Sequence, residues 1–111
     1  MRYSVIGSRE FEDYDLLKET LDKHFIYQIV SGGAPGADTL AARYAEAHNI
    51  PLLEFIPNWD KYKNAAAMIR NKDIIKASDV TIAFWNGISN GTRGALDIAR
   101  KLGKKVIIIR F

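Results

Sequence analysis

Five short runs of apolar residues recur along the chain, and between them apolar positions return every three or four residues. The runs are Arg2–Ile6, Gln28–Ser31, Leu52–Ile56, Val80–Trp85 and Val106–Phe111. Each is short, rich in β-branched or aromatic residues and bounded by turn formers, which predicts a strand. Acidic residues Glu10, Glu12, Asp13 and Asp15 open a first helix running to about His24, with Lys23 and His24 suiting its end. A second helix is expected from Ala37 to His48, with Leu40, Ala41, Tyr44 and His48 on one face. A third should span Ala65–Ala77, and a fourth Thr92–Leu102, stopped by Gly103. Asn58–Lys63, rich in aromatics and charge, and Asn86–Gly91, full of turn formers, read as loops.

Strands alternating with helices, and uninterrupted apolar strands such as Val106-Ile107-Ile108-Ile109, imply a parallel sheet covered on both faces. The expected architecture is a small doubly wound three-layer α/β sandwich with about five parallel strands and four helices, in one domain over residues 1–111. Ligands in such sheets bind beyond the carboxyl ends of the strands, where the strand order reverses. That rule collects Gly7-Ser8-Arg9, the Gly32–Asp38 bend, the Trp59 loop and the Asn86–Thr92 loop at one edge.

Composition narrows the classes. The chain has 111 residues, 48% of them hydrophobic and 26% charged, as in ordinary globular proteins. It has no cysteine, so disulfide and thiolate chemistry are excluded, and its two histidines lie far apart, suggesting no metal. No apolar run is long enough to cross a bilayer, and Met1-Arg2-Tyr3-Ser4 does not begin a signal peptide. A cytoplasmic location, with no membrane partner and no cofactor, is the expectation. The net charge of +3 is mild. Its one cluster, Arg100-Lys101 with Lys104-Lys105, falls where cations suit a helix end. Nucleic acid is therefore not a favoured partner, since no basic groove with interleaved aromatics is evident.

The most informative stretch is Ile29–Arg43. Gly32, Gly33 and Gly36, with Ala34 and Pro35 between them, join a strand to a helix that opens near Gly36-Ala37-Asp38. Glycines admit positive φ and close approach to the backbone, and a helix start offers convergent N–H groups to an anion. The Lys and Ser/Thr that follow the last glycine of a triphosphate-binding loop are missing. Asp38 stands there instead, able to accept the loop's own N–H groups or hold ribose hydroxyls. Those amides are expected to lower its pKa. The expected ligand is thus a nucleotide or nucleoside phosphate, without NTP hydrolysis.

On the third helix, Ala67, Asn71, Ile74, Ile75 and Ser78 share the inward face, with Arg70 on its border. Asn71 there needs hydrogen bonds, and Arg70 offers a planar fork to phosphate. Ile69, on the polar face, points to a covered surface such as a dimer contact, leaving a homo-oligomer open. Ser89, Gly91 and Thr92 form a second candidate phosphate loop, with Thr92 as N-cap. Ala95, Ile98, Ala99 and Leu102 should face inward, and Asp97 should pair with Arg93 and Lys101 in solvent. Trp59 and Tyr62 are candidates to stack on a base.

Five motifs in order, Val5–Arg9, Ser31–Asp38, Trp59–Tyr62, Ile69-Arg70-Asn71 and Ala83–Gly87 with Ser89–Thr92, resemble the YspA (cpYpsA-related) branch of the SLOG superfamily. This Rossmann-like group includes the LOG phosphoribohydrolases and the DNA-processing DprA/Smf proteins. The resemblance spans nearly the whole chain and implies binding of a nucleotide or nucleotide-derived ligand by a sensor or sequestering module, often in phage and bacterial conflict systems. LOG-type hydrolysis and DprA-like single-stranded DNA binding are the alternatives it offers. Against the LOG motifs, Gly32–Gly36 matches the first glycine loop and Arg70 the arginine before its dyad. The second motif carries a catalytic Glu three residues after its Gly-Thr, where this chain has Ala95 after Gly91-Thr92. Candidate chemistry is thereby reduced to Arg70 and Asp38.

Overall fold

The parallel sheet runs in the order β3-β2-β1-β4-β5 in the computed structural model, which describes residues 1–111. Its strands are β1 (Arg2–Gly7), β2 (Gln28–Ser31), β3 (Leu52–Glu54), β4 (Val80–Trp85) and β5 (Lys105–Arg110). Four helices of two turns or more connect them: α1 (Tyr14–Leu21), α2 (Ala37–Ala47), α4 (Ala66–Lys76) and α5 (Asn90–Lys101), with a one-turn α3 (Trp59–Tyr62) before α4. This is a Rossmann-like α/β arrangement. No helix is long and apolar enough to cross a membrane.

Side chains alternate across the sheet, so each central strand feeds two cores. Tyr3, Val5, Ile29, Ile82 and Phe84 pack with Phe11 and with Leu17, Leu21, Ala41 and Tyr44 of α1 and α2. Ile6, Val30 and Ala83 pack on the other face with Ile74 and Ile75 of α4 and Ala95, Leu96 and Ala99 of α5. The second face also buries three hydroxyls: Ser4 Oγ lies 2.7 Å from Thr81 Oγ1 and 3.1 Å from Ser78 Oγ. Nothing in the hydrophobic pattern signals this trio, because each member needs the others to be satisfied.

Helix ends follow local chemistry. Asn49 and Gly103 take positive φ (54° and 70°) just past α2 and α5. Ile50 N–H then reaches Ala45 O, and Lys104 N–H reaches Ala99 O, each at 2.9 Å, the paired closure expected of a left-handed helix stop. The first helix starts later than its acidic run suggests. Asp13 caps α1 by accepting from Leu16 N–H (3.0 Å), while Glu10 turns away to Asn86 Nδ2 (3.0 Å).

Other expectations need correction. Asn58–Lys63 is not all loop, because Asn58 accepts from Lys61 N–H (3.1 Å) and caps α3. Thr92 is not the cap of α5: Ser89 holds that position and donates to Thr92 Oγ1 (3.3 Å). On α5, Thr92, Ala95, Leu96 and Ala99 are buried, while Leu102, at the helix end, is exposed. Asp97 pairs with Arg100 at 3.8 Å rather than with Arg93, which lies over the Trp85 ring and donates to Gly87 O. His48 lies beyond the end of α2, exposed and stacked on Tyr44. The uncovered apolar side chain of α4 is Met68, 69% exposed, whereas Ile69 is half-buried.

Candidate functional site

The strand order reverses at β1: the chain leaves β1 toward β2 on one side and returns through β4 on the other. The loops after β1 and β4 therefore diverge and leave a crevice at the carboxyl edge. A cavity of about 140 Å³ occupies it. Gly7 and Arg9 line it from the end of β1, and Ala34 and Asp38 from the bend into α2. Arg70 and Asn71 of α4 close one side, and Ser89, Gly91 and Thr92 close the other. Ile6, Ala67, Ile74 and Ala95 supply an apolar wall.

The remaining candidates lie behind this surface. Ser8 is buried: its N–H donates to Phe84 O (2.9 Å), and its Oγ accepts from Asn86 N–H (3.3 Å), tying the β1 loop to the end of β4. Gly36, at φ 86°, starts α2 against the carbonyl oxygens of Ser8 and Arg9, where a Cβ has no room. Ala37 is buried and packs against Gly7. Gly33 faces Ile56 and Glu54 outside the cavity. At Gly32 the close approach serves the protein itself, because a Cβ would strike the Arg70 guanidinium. Trp59 and Tyr62 are exposed and do not line the cavity.

The glycine-rich bend already holds an anion, namely Asp38. Its Oδ2 accepts from Gly32 N–H and Ala34 N–H, each at 3.2 Å. Asp38 is only 6% exposed. Burial pushes its carboxyl up to about 6, against the opposing pull of the Ala34 amide, the Arg70 guanidinium and the Gly32 amide. The direction is opposite to the sequence expectation, because two long hydrogen bonds do not offset the lost hydration of a carboxylate. With Arg9 and Arg70 also lining the cavity, its walls are net cationic while Asp38 is ionised against Arg70, and more so once Asp38 is protonated.

Arg70 is half-buried. Its Nη1 donates to Gly32 O and its Nε to Asn71 Oδ1, both at 2.9 Å. That uses two of its five N–H groups. Burial pulls its pKa down, Asp38 opposes this, and the nearby Arg9 lowers it further. Two guanidiniums thus crowd one cavity. Opposite them, the first intrahelical bond of α5 runs from Arg93 N–H to Ser89 O (3.2 Å). The N–H groups of Asn90, Gly91 and Thr92 precede it without a partner in the helix.

The β4–α5 loop is held in shape by Asn86, which the sequence offers only as a turn former, and by Trp85 at the end of β4. Asn86 Oδ1 accepts from Ile88 N–H and Ser89 N–H, each at 2.9 Å. Trp85 Nε1 donates to Ser89 O at 3.1 Å. The Asn86-Gly87 pair was the available signal, since an Asx turn followed by a positive-φ glycine presets such a bend.

A family model described as the YspA, cpYpsA-related SLOG family matches residues 1–62. The chain belongs to this family. Membership ties it to nucleotide-related function on a Rossmann-like fold. The matched SLOG segment carries β1, the glycine-rich bend and Asp38, one half of the cavity. The Gene 61 protein of Mycobacterium phage D29 is 33% identical over 117 residues, covering 96% of this chain and 94% of that protein. That similarity extends through α4, the β4–α5 loop and α5, which supply the other half.

Proposed function

We propose that this SLOG protein holds the phosphate-bearing end of a nucleotide or nucleotide-derived ligand in the crevice between β1 and β4, as a sensor or sequestering module. The observation that carries the reading is convergence. Arg9, Arg70 and the free amides at the start of α5 surround one cavity, and both kinds of donor favour an anion. The amides of the glycine-rich bend are taken by Asp38, so the phosphate is assigned to the α5 side. Where the LOG resemblance expects a catalytic Glu, the wall carries the methyl group of Ala95, 3% exposed. Cleavage of an N-glycosidic bond calls for a positioned carboxylate to orient water or stabilise the developing cation.

A second reading, a nucleotide hydrolase, draws on Asp38, whose carboxyl at about 6 is suited to proton transfer near neutrality. Against it, Oδ2 is engaged by two backbone amides. One experiment separates the readings. A nucleoside monophosphate should raise the melting temperature, by mass action on the native state, well above the effect of the matching nucleoside. Long incubation at saturation should release no free base by chromatography. Equal shifts for both ligands would refute the phosphate site. Base release abolished by Asp38→Asn would establish the hydrolase.

A further inference from the structure

Of the residues around the cavity, Ala67, Asn71 and Gly91 also line an adjacent groove of about 490 Å³ between α4 and α5. We propose that this groove is a second subsite for the same ligand, taking its planar nucleobase while the phosphate lies at the start of α5. The assignment rests on the phosphate-site reading above.

Three observations argue for a neutral, flat group here. Charge comes first: the groove carries one carboxylate, Asp97, and one ammonium, Lys101, so it offers no net attraction to an anion, unlike the cavity with its two guanidiniums. Shape and wall chemistry come next. Met68 and Ile98 supply apolar contact, and the exposed Met68 thioether is a soft, polarizable partner for an aromatic ring. Asn64 and Asn90 stand at the rim, each offering both a donor and an acceptor to a base edge. The floor is the third. A Cβ at Gly91 or Gly94 would meet no atom within 4 Å. Glycine weakens a helix interior, and at Gly94 no packing against the protein requires it, so its effect is to keep the groove open along α5.

The test uses isothermal titration calorimetry with AMP, GMP, CMP and UMP, each compared with ribose 5-phosphate. Wild type should bind at least one of the four nucleotides tighter than ribose 5-phosphate by about tenfold or more. Gly94→Leu places a side chain in open space. It should keep its ribose 5-phosphate affinity and bring all four nucleotides close to that value. Met68→Ser, at an exposed position, should cut the preference several-fold and provides an independent variant. A wild type with no preference for any base, or a Gly94→Leu protein that keeps it, overturns the subsite while leaving the phosphate site standing. So does a Gly94→Leu protein that keeps the preference and shifts from dimer to monomer in sedimentation, since the groove would then be a joint between two copies. A wild type that binds neither nucleotide nor ribose 5-phosphate refutes the phosphate reading itself, and the subsite with it.

Discussion

Replacing Asp38 with Asn should make the protein progressively more stable, relative to wild type, as pH rises. The folded carboxyl sits at about 6 against an ordinary value of 3.8. A raised acid keeps its proton in the folded state while the unfolded chain has already released it. At low pH both states are protonated and the group has no effect. As pH climbs from 3.8 the unfolded state ionises first, so stability falls, and the loss is complete once pH passes the folded value. At about 1.4 kcal/mol per unit, the full loss is about 3 kcal/mol. About 2 kcal/mol of it develops between pH 4 and 8.

Asn is nearly isosteric, and its carbonyl can take the amide contacts of Gly32 and Ala34, but it does not titrate. Any fixed cost of the new amide beside Arg70 moves the whole curve equally and leaves the slope intact. Urea denaturation of both proteins at several pH values from 4 to 8 isolates the effect, because every other titrating group is shared. The stability of Asp38→Asn minus that of wild type should rise by about 2 kcal/mol over this range. A flat difference, or wild type gaining on the variant with rising pH, would refute the reasoning. It would mean that the two amides and Arg70 outweigh burial after all.

Two further outcomes separate site from fold. Arg70→Ala removes hydrogen bonds to Gly32 O and Asn71 and should cost about 1–3 kcal/mol while leaving a folded protein by circular dichroism; its nucleoside monophosphate affinity, read by calorimetry, should fall about tenfold or more. Gly91→Ala fills open space in the first turn of α5 and should leave stability in thermal melts unchanged or slightly raised, by less than the roughly 0.5–1 kcal/mol of a mid-helix site, yet weaken nucleotide binding because the new methyl group stands at the cavity wall.

Most of the fold was legible because its strands are short, mostly apolar runs, Ile107-Ile108-Ile109 above all, that a sheet covered on both faces can bury. Gln28–Ser31 and Val80–Trp85 appear with the expected limits. Helix limits were less legible where a side chain had two uses. Glu10 reads as a helix-start acid but is engaged by Asn86 across the sheet edge. Thr92 and Ser89 are both good caps, and their choice depends on Trp85 Nε1 and Asn86 Oδ1 fixing the loop ahead of α5. Leu102 fits the inward period of α5, but the helix ends at Lys101 and Gly103 turns the chain outward. Trp59–Tyr62 is one turn long, too short to show a period, so its cap at Asn58 was the only signal.

The candidate site was legible as a gathering of loops, and less so in what each loop does. The rule for open parallel sheets places the β1, β2 and β4 loops together, and the cavity draws on all three. Sequence left Asp38 two uses, and it takes the first: the bend folds back over the start of α2 and presents Gly32 N–H and Ala34 N–H to its carboxylate. The sign of its titration was out of reach, since it depends on how much protein covers the carboxyl, and that cover comes from residues far away in sequence. Ala95 shows the opposite case. The helical period alone put it on the inner face, and in the folded chain its methyl group lines the cavity beside Thr92. A carboxylate there would add a second acid to the cavity; a methyl group leaves Asp38 as its one carboxylate against the guanidiniums of Arg9 and Arg70. In the proposed site, Ala95 in place of a LOG-type Glu both withholds a catalytic carboxylate and spares the cavity one negative charge, so the proposed binding without cleavage rests on the same residue.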